Sequence, residues 1–184
     1  MMAFVWVGNH PGVDLTNTVV AVGSEDLVDL LPDWSAVVRW ADEAGLAVPH
    51  PAEDDPDRQD AAHRTVRRIR EALRAVLDGD AGHDDLDRVL ATVPIALRTA
   101  DGPPWVGPTP SASAVDRVTA AVAVAAAEAT GLPADRVRRC ANHRCVLHFH
   151  DTTRGGGRRW CDMATCGNRA KQAAHATRRR VEGS

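Results

Sequence analysis

Tyrosine is absent from these 184 residues, phenylalanine occurs twice, and lysine stands at one position, Lys171. Aromatic bulk therefore rests on Trp6, Trp34, Trp40, Trp105 and Trp160, and positive charge rests on arginine. An arginine bias of 21 to 1 over lysine is what a GC-rich genome produces, so the count by itself assigns no function. Long apolar runs are missing too. The Ala- and Val-rich stretch 114–129 falls short of the roughly 20 residues a bilayer requires and carries Asp116, Arg117 and Glu128. The opening "MMAFVWVGNHPG" has no basic n-region and no long apolar h-region, so a secretory signal is not expected. No cysteine precedes Cys140, and no internal repeat is visible. These absences argue against membrane-spanning, solenoid and disulfide-stapled classes. A cytoplasmic location is expected, where thiols stay reduced and paired cysteines bind metal more often than they form disulfides.

What is present suits one globular domain with a small appendage. With 44% hydrophobic and 26% charged residues the chain can bury a core, which excludes global disorder. The net charge of −3 conceals an asymmetry. Residues 1–135 carry 10 basic and 22 acidic side chains, whereas residues 136–184 carry 12 basic and 3 acidic ones. An acidic body of −12 thus precedes a basic arm of +9, and the arm is the candidate for binding phosphate.

The body reads as mainly helical. "GVDLTNTVVAVG" spaces Leu15, Val19 and Val22 as a short helix ending at Gly23, and "SEDLVDLLPDW" reads as a second helix capped by Ser24 and stopped by Pro32. "DWSAVVRWADEAGL" places Trp34, Val37, Val38 and Ala41 on one helical face before Gly45. A proline-rich acidic linker, "AVPHPAEDDPD", follows. The plainest helix is "DRQDAAHRTVRRIREALRAVLDGD", with Val66, Ile69, Leu73, Val76 and Leu77 at helical spacing. Its Arg64, Arg67, Arg68, Arg70 and Arg74 read as a solvated face paired with Asp60, Glu71 and Asp78, or as an anion-binding stripe. "HDDLDRVLATVP" predicts a short helix, "IALRTADGPPWVG" a β-hairpin turning at Asp101-Gly102, and "SASAVDRVTAAVAVAAAEATG" a core helix from Ser111 or Ser113 to Thr130.

All four cysteines fall in the arm, as Cys140-x4-Cys145-x15-Cys161-x4-Cys166. Two equal pairs with short spacers are the arrangement by which four thiolates enclose Zn²⁺ tetrahedrally, although four-residue spacers are at the loose end of the range. A thioredoxin-like pair would need C-x-x-C, an iron–sulfur cluster usually has other spacings, and a catalytic cysteine would leave the pairing unexplained. His143, His148 and His150 lie close enough to replace a ligand, but they are expected on the finger surface. "VRR" and "VLHFH" are expected to be extended, "RRW" to return as a strand after the "DTTRGGGRR" turn, and "CGNRAKQAAHATRRR" to be helical. Cys166 would then sit at the helix start, Gly167 would let the backbone pass close to the metal, and Asn168 would cap the helix or buttress the turn. The order is that of a treble-clef-like finger.

"RRWCDMATCGNRAK" resembles the signature of the CGNR zinc finger, with the tetrapeptide at Cys166–Arg169. That family usually joins its finger to an N-terminal ABATE domain with an "LDLVNT"-like motif. "VDLTNT" at Val13–Thr18 is similar, with Thr16 where an apolar residue is expected. The resemblance implies a helical ABATE-like domain over 1–135, a finger with a basic C-terminal helix over 136–184, structural Zn²⁺ on Cys140, Cys145, Cys161 and Cys166, and a role as a stress-related transcriptional regulator. The fold expected is mainly α: a multihelical domain with one small β-hairpin, followed by a treble-clef-like finger.

Arg154, Arg158, Arg159, Arg169, Lys171, Arg178, Arg179 and Arg180 are the candidate DNA contacts, since phosphate neutralisation supplies most duplex affinity. The competing explanation is that arginines balance the −2 charge of a zinc–tetrathiolate centre or dock the finger on the acidic body, a role assigned to about half of Arg138, Arg139, Arg158 and Arg169. One finger buries a modest interface, so a homodimer or a weak, salt-sensitive binder is expected. A non-enzymatic module that binds protein, with a body that senses a small ligand, is the alternative. A histidine-metal nuclease built on His148, His150, Asp151, Asn168 and His175 is a third reading, and a partial match only.

Overall fold

The computed structural model describes residues 2–22, 26–46, 55–100 and 102–173. Among the described residues, five α-helices, three two-stranded antiparallel pairs and a C-terminal π turn running into helical residues 168–173 make up the regular structure. None of the described helices is long and apolar enough to cross a membrane.

Helix α5 (Ala114–Thr130) is the centre of the body. Ser113 and Asp116 form a reciprocal capping box at its start. Nine of its residues are buried, among them Val118, Val122 and Ala126, as expected of a helix apolar on most sides. Helix α3 (Pro56–Asp78) packs on it through Val66, Ile69 and Leu73, all fully buried. Each such side chain contributes about 1.5–3 kcal/mol through burial. Asp55 caps α3 ahead of Pro56, so the end of the linker is already part of the helix; residues 47–54 lie outside the described set. Helix α2 (Trp34–Glu43) buries Trp34, Val37, Val38, Trp40 and Ala41 against the same core. Helix α4 (Asp84–Leu90) packs on α3. The predicted hairpin is present as β3 (Ile95–Ala100) and β4 (Gly102–Pro108), with Asp101 outside the described residues.

Residues 11–29 depart from expectation. Helix α1 spans only Pro11–Thr16, and Val19–Val22 is a strand, β1, paired with β2 at Asp26–Asp29. Helical spacing of Leu15, Val19 and Val22 coincided with a run of β-branched residues, Thr18, Val19, Val20 and Val22, which fits a pleated edge better. The second predicted helix is likewise a strand; its supposed cap, Ser24, lies outside the described residues. Helix α1 presses so closely on α5 that a Cβ on Gly12 would come within 2.1 Å of the Ala125 carbonyl oxygen.

The arginine face of α3 is not uniformly solvated. Arg70 is 1% exposed and donates to both carboxylate oxygens of Asp29 at 2.7 and 2.8 Å and to Thr18 Oγ1 at 3.2 Å. Its Nε has no partner among the described residues. Burial is the largest single influence on Asp29 and opposes its charge, but the Arg70 hydrogen bonds, the Leu31 N–H and the charges of Arg70 and Arg67 together hold the carboxyl below its ordinary range. Arg74 turns inward too, reaching the carbonyls of Thr16 at 2.5 Å and Val146 at 3.2 Å. Arg64 and Arg68 remain exposed, as read from the sequence.

Candidate metal centre

The first cysteine pair sits in a knuckle between β5 (Val137–Arg139) and β6 (His148–His150). Cys140 N–H donates to the Leu147 carbonyl at 2.9 Å, and Cys145 N–H to that of Asn142 at 2.8 Å, so the chain folds back on itself. The hairpin is therefore closed across this knuckle and not across the glycine-rich turn. "RRW" forms no strand: a single bond, Ala141 N–H to the Arg159 carbonyl at 2.9 Å, joins it to the knuckle.

The second pair is set by a π turn over Met163–Gly167, followed by helical residues 168–173. Gly167 N–H donates to the Asp162 carbonyl at 3.1 Å, five residues back. The Asp162 side chain caps the turn, accepting from Thr165 N–H and Oγ1, each at 2.9 Å. This wide turn accounts for the loose spacing, since Cys161 and Cys166 are also five residues apart. Asn168 buttresses it by donating to the Ala164 carbonyl at 3.1 Å. Gly167 serves a purpose other than metal access: a Cβ there would meet Met163 Sδ at 2.4 Å and Trp160 Cδ1 at 3.2 Å.

The four sulfurs lie within 4.8 Å of one another. Cys145–Cys161 and Cys161–Cys166 are separated by 3.7 and 3.6 Å. A tetrahedron of sulfurs around an ion at 2.3 Å has edges of about 3.8 Å, so this arrangement fits one metal ion. Cys140, Cys161 and Cys166 are buried and Cys145 is half-buried. Cys161 N–H donates to Cys140 Sγ and Asn142 Nδ2 to Cys166 Sγ, both at 3.4 Å, which is how thiolates are stabilised in such cages. Hydrogen bonding from Cys161 pulls the Cys145 thiol down to about 5, while that same contact, then burial, pushes Cys161 up. The cluster cannot carry four thiolates unaided; a cation must balance them.

Residues 136–179 match the CGNR zinc finger family. The match takes in the knuckle, β5, β6, the π turn and all four sulfurs. No curated protein matches the chain.

Within the CGNR segment the basic residues divide into two groups. Arg158 turns inward. It stacks on Phe149 with its guanidinium 4.3 Å from the ring centre, donates to the Val7 and Trp160 carbonyls at 3.0 Å, and bonds the Cys161 carbonyl. Arg136 donates to the Thr153 carbonyl at 2.8 Å, Arg138 to that of Asp135 at 2.9 Å, and Arg139 lies 3.6 Å from Asp78. Arg144, Arg154, Arg159, Arg169 and Lys171 are exposed. Arg144 and Arg169 line a groove of about 870 Å³ with His143 and Trp160. Arg178, Arg179, Arg180 and His175 lie outside the described residues.

The finger is docked on the body by residues to which the sequence reading gave no docking role. His148, expected at the surface, is fully buried. Asn17 pairs with its backbone twice: His148 N–H donates to Asn17 Oδ1 at 2.8 Å and Asn17 Nδ2 to the His148 carbonyl at 3.0 Å. The ring of His148 bridges Thr16 Oγ1 at 3.2 Å and Asp78 Oδ1 at 3.0 Å. A carboxylate only accepts, so Nε2–H donates to Asp78; the Thr16 hydroxyl beside Nδ1 also donates to the Val13 carbonyl at 2.7 Å. Gly8 and Asn9 continue the seam, through His150 N–H to the Gly8 carbonyl at 2.8 Å and Asn9 Nδ2 to the His150 carbonyl at 2.9 Å. Asp14 holds that segment by accepting from Gly8 N–H at 2.7 Å and Val7 N–H at 3.1 Å. Asp14, Thr16 and Asn17 of "VDLTNT" thus form part of the dock. Asp151, also buried, accepts from Thr153 and Arg158 N–H and shapes the glycine-rich turn.

Proposed function

We propose that the protein is a transcriptional regulator whose finger, built on Zn²⁺ held by Cys140, Cys145, Cys161 and Cys166, binds DNA through phosphate contacts. The observation that carries this reading is the division of the basic side chains. Arg136, Arg138 and Arg158 are engaged in the fold, whereas Arg144, Arg154, Arg159, Arg169 and Lys171 stay exposed, and the sequence adds Arg178–Arg180. Zinc suits a four-thiolate donor set and serves here as a structural centre. The body, with net charge −12, would repel DNA, which leaves the finger as the face that approaches phosphate.

Metal analysis joined to a salt-series DNA titration tests both halves. One zinc per chain is expected, with affinity falling steeply as salt rises. Replacing Arg178, Arg179 and Arg180 by alanine should lessen the log–log slope by up to about 2.7, at about 0.9 per phosphate contact. Zinc-loaded protein whose affinity ignores salt would refute phosphate binding and leave the metal assignment standing. Metal-free protein as purified would refute both.

A further inference from the structure

An apolar groove of about 400 Å³ runs between α5 and β4, far from the cysteines in sequence. One wall is Trp105, Val106, Gly107 and Pro108; the floor is the outward stripe of α5. Trp105 is 46% exposed, and its ring lies over Gly107, where an added Cβ would strike it at 1.9 Å. Next to it on the hairpin, Leu97, cross-strand from Val106, is 72% exposed. An aromatic ring held in place above an apolar groove is costly to leave in water.

The stripe of α5 identifies what covers it. Its outward residues are Arg117, Ala121, Val124 and Glu128, spaced along one helical face. Arg117 and Glu128 are exposed, and neither has an ion-pair partner among the described residues. They stand about 16 Å apart along the axis. The midpoint between them is also the midpoint between Ala121 and Val124. A two-fold axis through that point therefore sets Arg117 of one chain against Glu128 of the partner subunit, twice, with the apolar residues between them. We infer that this groove is the interface of a homodimer, with the α5 stripes antiparallel and Trp105 of each chain covering the other. Opposite charges at the two ends of a self-paired surface are what an isologous contact requires, and a parallel arrangement would set like charges together.

Sedimentation equilibrium of the full zinc-loaded chain tests this, independently of DNA. The wild type should show twice the monomer mass. Glu128→Arg, which opposes arginine to arginine twice per dimer, should raise the dissociation constant by about tenfold or more. Combining it with Arg117→Glu rebuilds both pairs with exchanged signs and should restore the constant to within about threefold. Because the residues are exposed, the single variant should melt like the wild type at concentrations where both are monomers. A wild-type monomer at about 0.1 mM, a dimer indifferent to Glu128→Arg, or failure of the double reversal to restore association would each overturn the inference.

Discussion

Arg70 and His148 show how much a single buried polar residue decides here. Arg70 is held by Asp29 from the far end of the β1–β2 hairpin. Asp29→Ala would strand a buried guanidinium, and urea denaturation should record a loss of about 3–5 kcal/mol. Arg67→Ala, at an exposed neighbour 3.3 Å from the same carboxylate, should cost less than about 1 kcal/mol. For His148, burial lowers the pKa below its ordinary 6.5, with Asp78 opposing the shift and Arg74 and Arg139 adding to it. A base whose folded pKa is depressed binds fewer protons folded than unfolded. The stability it contributes is complete above 6.5 and is lost as pH falls from there toward the folded value. Chemical denaturation of wild type and His148→Gln between neutral and mildly acid pH should show a steeper acid loss in the wild type; parallel curves would remove His148 from the pH response.

Among the elements, the two cysteine turns are the ones a bound metal would hold together, unlike the helices. Chelation of the cage should release amide protection at Cys140, Cys145 and Gly167, whose hydrogen bonds shape the knuckles, and leave Ile69 and Leu73 on α3 protected. Hydrogen exchange by NMR reads both regions in one experiment; loss of protection at Ile69 would mean the body also needs the metal. The legibility of the elements follows from their physics. Helices α3 and α5, the β3–β4 hairpin and the clustering of the four cysteines were readable because periodicity, helix-start and turn residues and cysteine spacing are local signals. The short β1–β2 hairpin was misread because the Thr18–Val22 stretch, β-branched at all but Ala21, satisfies helical and strand patterns alike. The π turn left only the loose x4 spacing as its trace.

At the scale of the whole molecule, the pairing of body with finger was not legible in the sequence, because its partners lie 70 or more residues apart. "VDLTNT" marked Asn17 without giving its partner, and nothing local separates buried Arg70 from exposed Arg68. Thr16 holds the ring of His148 through its hydroxyl. Asn17→Ala deletes both bonds to the His148 backbone, leaving a buried donor and acceptor unpaired. Calorimetry should show a loss of about 2–4 kcal/mol, with the single transition splitting as the finger uncouples. One transition with an unchanged midpoint would mean that the seam of Gly8, Asn9 and Arg158 suffices.

The amide of Asn17 has a further consequence. Strand β6 belongs to a ribbon of two strands, and its outer rim would ordinarily offer bare main-chain groups to any passing peptide. At His148 that rim is occupied by a side chain imitating a neighbouring strand, and at His150 by the Gly8 carbonyl. That rim of the finger is thereby sealed against growing by strand addition, so uncapping it should turn a small module into a seed for aggregates.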